Sequence, residues 1–285
     1  MRKCFLLFIA VVLIGTMSVT TTGCTEKKPS ANDHVAADTA AGDTAAADST
    51  DALIAETPMP KAADELFDDF VFNFAANKKL QFRRIHFPLP VYTDGKVVRT
   101  IEQKQWTMEH FFMRQGYYTL ILDSRKALKM VKDTTIKHVV IEKIQFKQKR
   151  IQQYLFNRID GEWMLTSLNI VPLRQSPEAS FLSFYERFAV DSAYQVKSMN
   201  DLVDFTAPNP DDDFSNIEGQ ITADQWPMFK PAIIPSGTLY NIVYGQKPFS
   251  GTQRILMVRG IANGLEIEMV FSPKHGQWKL MKFSS

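Results

Sequence analysis

Two kinds of apolar pattern divide this chain. An unbroken apolar run extends from Phe5 to about Val19, directly after Arg2 and Lys3. From Asp64 onward the apolar residues instead recur at helical or strand spacing. Phe67, Phe70 and Phe74 stand at i, i+3 and i+7, which places them on one helical face, and Phe181, Phe184 and Phe188 repeat that spacing 114 positions later. Ser176 and Pro177 predict an N-cap and a first-turn proline for the second of these helices. Residues 137–146, 151–159 and 163–171 are rich in apolar and β-branched residues, as are 254–261, 265–271 and 278–283. Asp160-Gly161, Asn263-Gly264 and His275-Gly276 separate these runs, and such pairs predict tight hairpin turns.

The repetition extends beyond the phenylalanines. Ala75 and Gln81 recur as Ala189 and Gln195, and Gln105-Trp106-Thr107-Met108 is echoed by Gln225-Trp226-Pro227-Met228. Near the end of each copy, Gly161-Glu162-Trp163 is echoed by Gly276-Gln277-Trp278. The matches keep their order along the chain, so the pattern predicts one module present twice, over 64–172 and 173–285. A helix followed by antiparallel strands makes each module α+β, with the helix laid on its sheet. The phenylalanine stripes, Trp163 and Trp278 are expected to be packing residues.

The N-terminal pattern predicts export. A charged start, an apolar middle and a small residue before the cut define a secretory signal over 1–23. The run is nearer 15 residues than the roughly 20 a spanning helix needs. Gly23-Cys24 resembles a lipobox, with Thr21 standing where leucine is usual, and this resemblance implies lipidation of Cys24 after cleavage. Residues 24–63 then form a tether whose middle, AADTAAGDTAAADSTDA, has too little apolar surface to fold. As a flexible coil, about 40 residues span roughly 35 Å. Cys4 and Cys24 are the sole cysteines, which excludes an internal disulfide, a thiolate metal site and a cysteine nucleophile in the mature chain beyond its anchor.

A helix in a curved antiparallel sheet, with Gly-x-Trp opening the last strand, resembles the nuclear transport factor 2-like fold, also called cystatin-like. Residues 64–74, 80–89 and 106–118 also resemble a family of lipoproteins of Gram-negative gut bacteria. The resemblance implies two tandem modules of that fold and carries no assigned activity. Enzymes of this fold usually hold an Asp–His pair or a lone acid inside the cone between helix and sheet. His110 is the histidine best placed to point into such a pocket. Its neighbour Glu109 is not expected to orient it, because adjacent side chains diverge on helix and strand alike.

No nucleophile elbow, phosphate loop or HExxH helix occurs. Asp211-Asp212-Asp213 lacks the spacing of a calcium loop and reads as a solvated turn. Neither a cofactor nor a metal is therefore expected. Charge is uneven: residues 64–172 carry 18 Lys+Arg against 12 Asp+Glu, and residues 173–285 carry 10 against 12. The expected function is a non-catalytic binding or interaction module of the cell envelope. Its expected place is the outer membrane, on the periplasmic side. A small hydrolase, isomerase or dehydratase of the same fold is the alternative. The expected partners are the membrane, through the lipid anchor, and a small apolar or glycan ligand or an envelope protein, with no nucleic acid. Trp106, Tyr118, Trp226, Tyr240 and His110 are the candidate pocket lining.

Overall fold

The computed structural model describes residues 64–209, 211–245 and 252–285. The signal, Cys24 and the tether lie outside the described residues. The first phenylalanine stripe forms helix α1 (Phe67–Ala76), followed by the short α2 (Lys78–Arg83). The second forms α3 (Ala179–Phe188), followed by the short α4 (Ser192–Lys197). Both short helices start on a side-chain cap: Asn77 Oδ1 accepts from Leu80 N at 2.9 Å, and Asp191 Oδ1 accepts from Tyr194 N at 2.9 Å. The entry to α3 differs from expectation. Ser176 follows a 3₁₀ turn, Leu173–Gln175, and its Oγ accepts from Glu178 N at 3.1 Å, so the helix begins only at Ala179.

The described residues form twelve strands, in chain order β1 (Leu89–Thr93), β2 (Lys96–Ile101), β3 (Tyr117–Leu122), β4 (His138–Gln145), β5 (Arg150–Ile159) and β6 (Glu162–Pro172). The later half adds β7 (Met199–Asn209), β8 (Asp212–Ile221), β9 (Thr238–Tyr244), β10 (Arg254–Gly260), β11 (Glu266–Lys274) and β12 (Gln277–Ser284). The hairpins at Asp160-Gly161 and His275-Gly276 carry positive φ at both turn residues, as the pairs require. The Asn263-Gly264 turn is looser: Ala262 and Gly264 take the positive φ values, while Asn263 Oδ1 accepts from Leu265 N at 3.2 Å.

The expectation was one antiparallel sheet per module. The strands instead join a single sheet of order β2-β1-β6-β5-β4-β9-β3-β10-β11-β12-β7-β8. Strand β9 leaves its own half to pair with β4, and β3 leaves its half to pair with β10. Three neighbours are parallel, β1·β6, β7·β12 and β3·β9. This exchange covers the central strands on both faces. Tyr118, Leu120 and Leu122 enter one core with α1, whereas Ile121 enters the core around α3. Likewise Ile255 and Met257 face the first core, and Leu256 and Val258 the second. Successive strand residues point to opposite faces, so the two cores lie on opposite sides of the sheet's middle. That is why these strands read as unbroken apolar runs.

The cores are built alike. Phe74 meets Phe156 edge-on at 5.3 Å, and Phe188 meets Phe271 edge-on at 5.1 Å. Each fully buried phenylalanine contributes roughly 1.5–3 kcal/mol by transfer from water. The seam between β3 and β9 is held differently, for their ladder registers at Thr119 and Asn241 alone. There Asn241 Oδ1 accepts from Ile121 N at 2.8 Å, Asn241 Nδ2 donates to Glu142 Oε2 at 3.0 Å, and Thr119 Oγ1 donates to Tyr240 O at 3.1 Å. Both residues are buried.

Asn241→Leu should therefore destabilise the chain by about 1–3 kcal/mol, the cost of stranding buried polar groups. The denaturant midpoint measures this, and an unchanged midpoint would show that the seam does not depend on the side chain.

Candidate functional site

The link from α2 to Trp106 begins with a buried glutamine. Gln81 Nε2 donates to Phe74 O at 3.0 Å, capping the end of α1, and to Glu109 O at 2.9 Å. Its Oε1 accepts from Trp106 Nε1 and from Glu109 N, both at 2.9 Å. Gln195 repeats half of this device, with Nε2 on Phe188 O at 2.8 Å and Oε1 accepting from Trp226 Nε1 at 3.0 Å. A glutamine can satisfy a helix end and an indole at once because its amide both donates and accepts.

Beyond Trp106 the two halves diverge. Glu109 follows three residues after Trp106, but Phe229 stands three residues after Trp226. The Glu109 carboxylate gathers partners from three strands and its own loop. Its Oε2 accepts from Lys143 Nζ of β4 at 2.9 Å and from Tyr154 OH of β5 at 2.8 Å. Its Oε1 accepts from Tyr240 OH of β9 at 3.3 Å and from Phe111 N at 3.2 Å. Phe111 carries φ +47°, a left-handed conformation unusual for a bulky side chain, and it begins a short 3₁₀ turn, Phe111–Arg114.

Burial pushes the Glu109 carboxyl up, but Lys143, Tyr154 and the Phe111 amide outweigh it and hold the group below 4.5. For Lys143 burial lowers the pKa, and Glu109 and Tyr240 reverse this and raise it. Burial and the adjacent carboxylate drive the Tyr154 hydroxyl well above its usual range. The cluster is thus an ionised carboxylate–ammonium pair beside protonated phenols. A carboxylate this acidic, with both oxygens accepting, is a weak base at neutral pH. Its arrangement suits holding and orienting polar groups.

Glu109 and Tyr154 form one wall of a cavity of about 500 Å³ that also receives Trp106, Arg99, Gln105 and Gln152. Trp106 is half-buried and Arg99 and Gln105 are exposed at the lip. The structure therefore brings two of the five candidate residues to this site, Trp106 in the cavity and Tyr240 through its hydroxyl. Trp226 is enclosed in the second core, edge-on to Phe283 at 5.4 Å. His110 is half-buried beside Glu109, outside the cavity lining. Glu109, Lys143 and Tyr154 escaped the sequence reading. The contrast of Glu109 with Phe229 in otherwise matching motifs was the signal that marks the first.

Tyr118 belongs to a second polar cluster. Its hydroxyl is pushed up to about 12 by burial and then by the Asp68 charge. Asp68, on α1, accepts a hydrogen bond from Tyr244 OH, and burial raises its carboxyl above 3.8. Arg259, which lowers the Asp68 value, pairs with Glu266 at 3.2 Å.

The two acids make opposite pH predictions. Glu109, depressed when folded, stabilises the fold above its ordinary 4.5, and that contribution fades as pH falls through the folded value. Asp68, raised when folded, favours the fold below 3.8, and that contribution is lost as pH rises through the folded value. Between about pH 3 and about pH 7, wild type should gain stability on Glu109→Gln and lose it relative to Asp68→Asn. Denaturation midpoints at the two pH values decide this, and parallel pH curves for all three proteins would refute it.

Comparisons with known proteins agree with this architecture. A family model described as a domain of unknown function, DUF4348, matches residues 46–285. No curated protein matches the chain. Among solved structures, the crystal structure of an NTF2-like protein from Bacteroides fragilis NCTC 9343 is similar, at 38% identity and a TM-score of 0.72. The match covers 80% of this chain and 98% of that one. The fold is thus NTF2-like, sheet-rich α+β.

Proposed function

The chain belongs to the DUF4348 family, and we propose that it is a non-catalytic ligand-binding module held at the cell envelope by lipid on Cys24. The observation that carries the binding reading is the cavity of about 500 Å³ with Trp106 at its lip and Glu109 in its wall. Its volume lies in the range of small-molecule sites, and a few convergent polar groups beside an aromatic are what such sites use to orient a ligand. The bound-up Glu109 carboxylate favours binding over proton transfer.

Two copies of one NTF2-like module best account for the matched halves. The Gln81–Trp106 and Gln195–Trp226 bonds support that reading, as do the Asn77 and Asp191 caps. On this reading the copies have specialised. Phe229 of the second half packs on Phe205 at 5.1 Å where the first half has Glu109, so the Glu109 cluster has no counterpart at that place in the second half.

The envelope location rests on the charged start, the apolar run and Gly23-Cys24. No helix among the described residues is long and apolar enough to cross a membrane. An anchor at Cys24 would hold the chain on the periplasmic face of the outer membrane.

Cys24→Ser should abolish labelling by palmitate in cells and move the chain to the soluble fraction. Membrane retention of that variant would refute the anchor. Native mass spectrometry of the full chain from its own source should show a bound mass that Trp106→Ala and Glu109→Ala remove. The same bound mass in both variants would place the ligand elsewhere, and a bare chain in wild type would count against the binding reading.

A further inference from the structure

We propose that the cavity beside Trp106 binds an anionic saccharide, with the acidic group on Arg99 and a sugar face against the indole. This rests on the ligand-site reading above and names the class of ligand. The wall of the cavity is polar. Most of the residues around the cavity are polar: Arg99, Thr100, Gln105, Thr107, Gln152 and Tyr154, with Glu109. Its aliphatic members, Ile101 and Leu168, are 8% and 3% exposed and belong to the first core. An apolar ligand would take the polar groups out of water without returning hydrogen bonds, at a cost. A polyhydroxylated ring can return them, donating to amide oxygens and accepting from amide and guanidinium N–H groups. Trp106 is held by Gln81 at 2.9 Å and is half-buried, so its ring is fixed in place and remains partly accessible to a flat C–H face.

Charge favours an anion at the same place. Glu109 brings a carboxylate to the wall, and Lys143 neutralises it at 2.9 Å. The Arg99 side chain forms no ion pair or hydrogen bond with another described residue, and Arg99 lies exposed on β2 with its backbone in register with Val91 of β1. Among the described residues, the cavity therefore presents one uncompensated cation. The half of the chain that carries it has 18 basic against 12 acidic residues. A guanidinium suits a carboxylate or sulfate because its fork can donate two parallel hydrogen bonds. A cationic amino sugar would meet repulsion at the same place, and a neutral one would leave the guanidinium as solvent-facing as before. The acidic group thus binds at the lip, and the ring extends inward past Trp106 toward Tyr154.

The test is titration calorimetry of the full chain with three probes: digalacturonate, galactose 6-sulfate and the neutral disaccharide lactose. At low salt at least one acidic probe should bind about tenfold or more tightly than lactose, the scale of one charge-assisted contact. Arg99→Ala should bring that probe down to the affinity of lactose, and added salt should narrow the gap. Trp106→Phe, which keeps an aromatic ring, should weaken the probe less than Trp106→Ala. The two acidic arms separate a carboxylate from a sulfate ester. Equal binding of acidic and neutral probes, or no effect of Arg99→Ala, would overturn the anionic class and leave the binding site standing. Failure of all three probes overturns the saccharide inference. The fate of the binding reading is then read from the mass bound by the native chain and its dependence on Trp106.

Discussion

Everything else in this fold depends on the seam where β3 runs parallel to β9. These strands come from different halves of the chain, and their ladder registers at Thr119 and Asn241 alone. Two buried side chains supply hydrogen bonds that the ladder lacks, with Asn241 serving the Ile121 amide and the Glu142 carboxylate together. Because the strands are exchanged, neither half can complete its sheet without the other. The exchange also brings Tyr240 to Glu109, 131 residues away in sequence. The polar site is therefore a product of the exchange, with its carboxylate, ammonium and one phenol from the first half and the other phenol from the second.

Around that seam, the same local solutions recur. A phenylalanine stripe buries one helix face, an Asn or Asp caps the next short helix, and a glutamine ties the helix end to an indole. These devices are about stability, since each satisfies backbone or indole groups that would otherwise be buried unpaired. The two halves diverge just beyond their tryptophans. Glu109 and Phe229 occupy corresponding places three residues beyond their tryptophans. One gathers an ammonium and two phenols, and the other packs on Phe205.

An NTF2-like fold hosts many chemistries and decides none of them. In this chain two acids of the first core are held in opposite states. Glu109 is kept ionised by direct hydrogen bonds, whereas Asp68 is pushed toward its neutral form by burial. The two lie on different parts of the first core and titrate in opposite directions, so each answers to its own surroundings and not to the fold as a whole.

Much of the local structure was legible in the sequence because its causes are local. Helical spacing of Phe67, Phe70 and Phe74 is enough to define a buried face, and Asp160-Gly161 is enough to turn a hairpin. The closing strands of each half were readable for the same reason. Strands β2 and β7 were not, because β2 is exposed along most of its length and acids interrupt β7, so neither carries much apolar alternation. Nor was the exchange of β3 and β9, since an unbroken apolar run shows that both faces are buried without naming the neighbour. The site lay furthest out of reach. Lys143 and Tyr154 meet Glu109 across 34 and 45 residues, and no periodicity links positions that only the sheet brings together. Composition and spacing by themselves determined the helices, the turns and the doubled pattern. Tertiary structure alone decided which strands would be neighbours, because pairing depends on burial summed over the whole sheet.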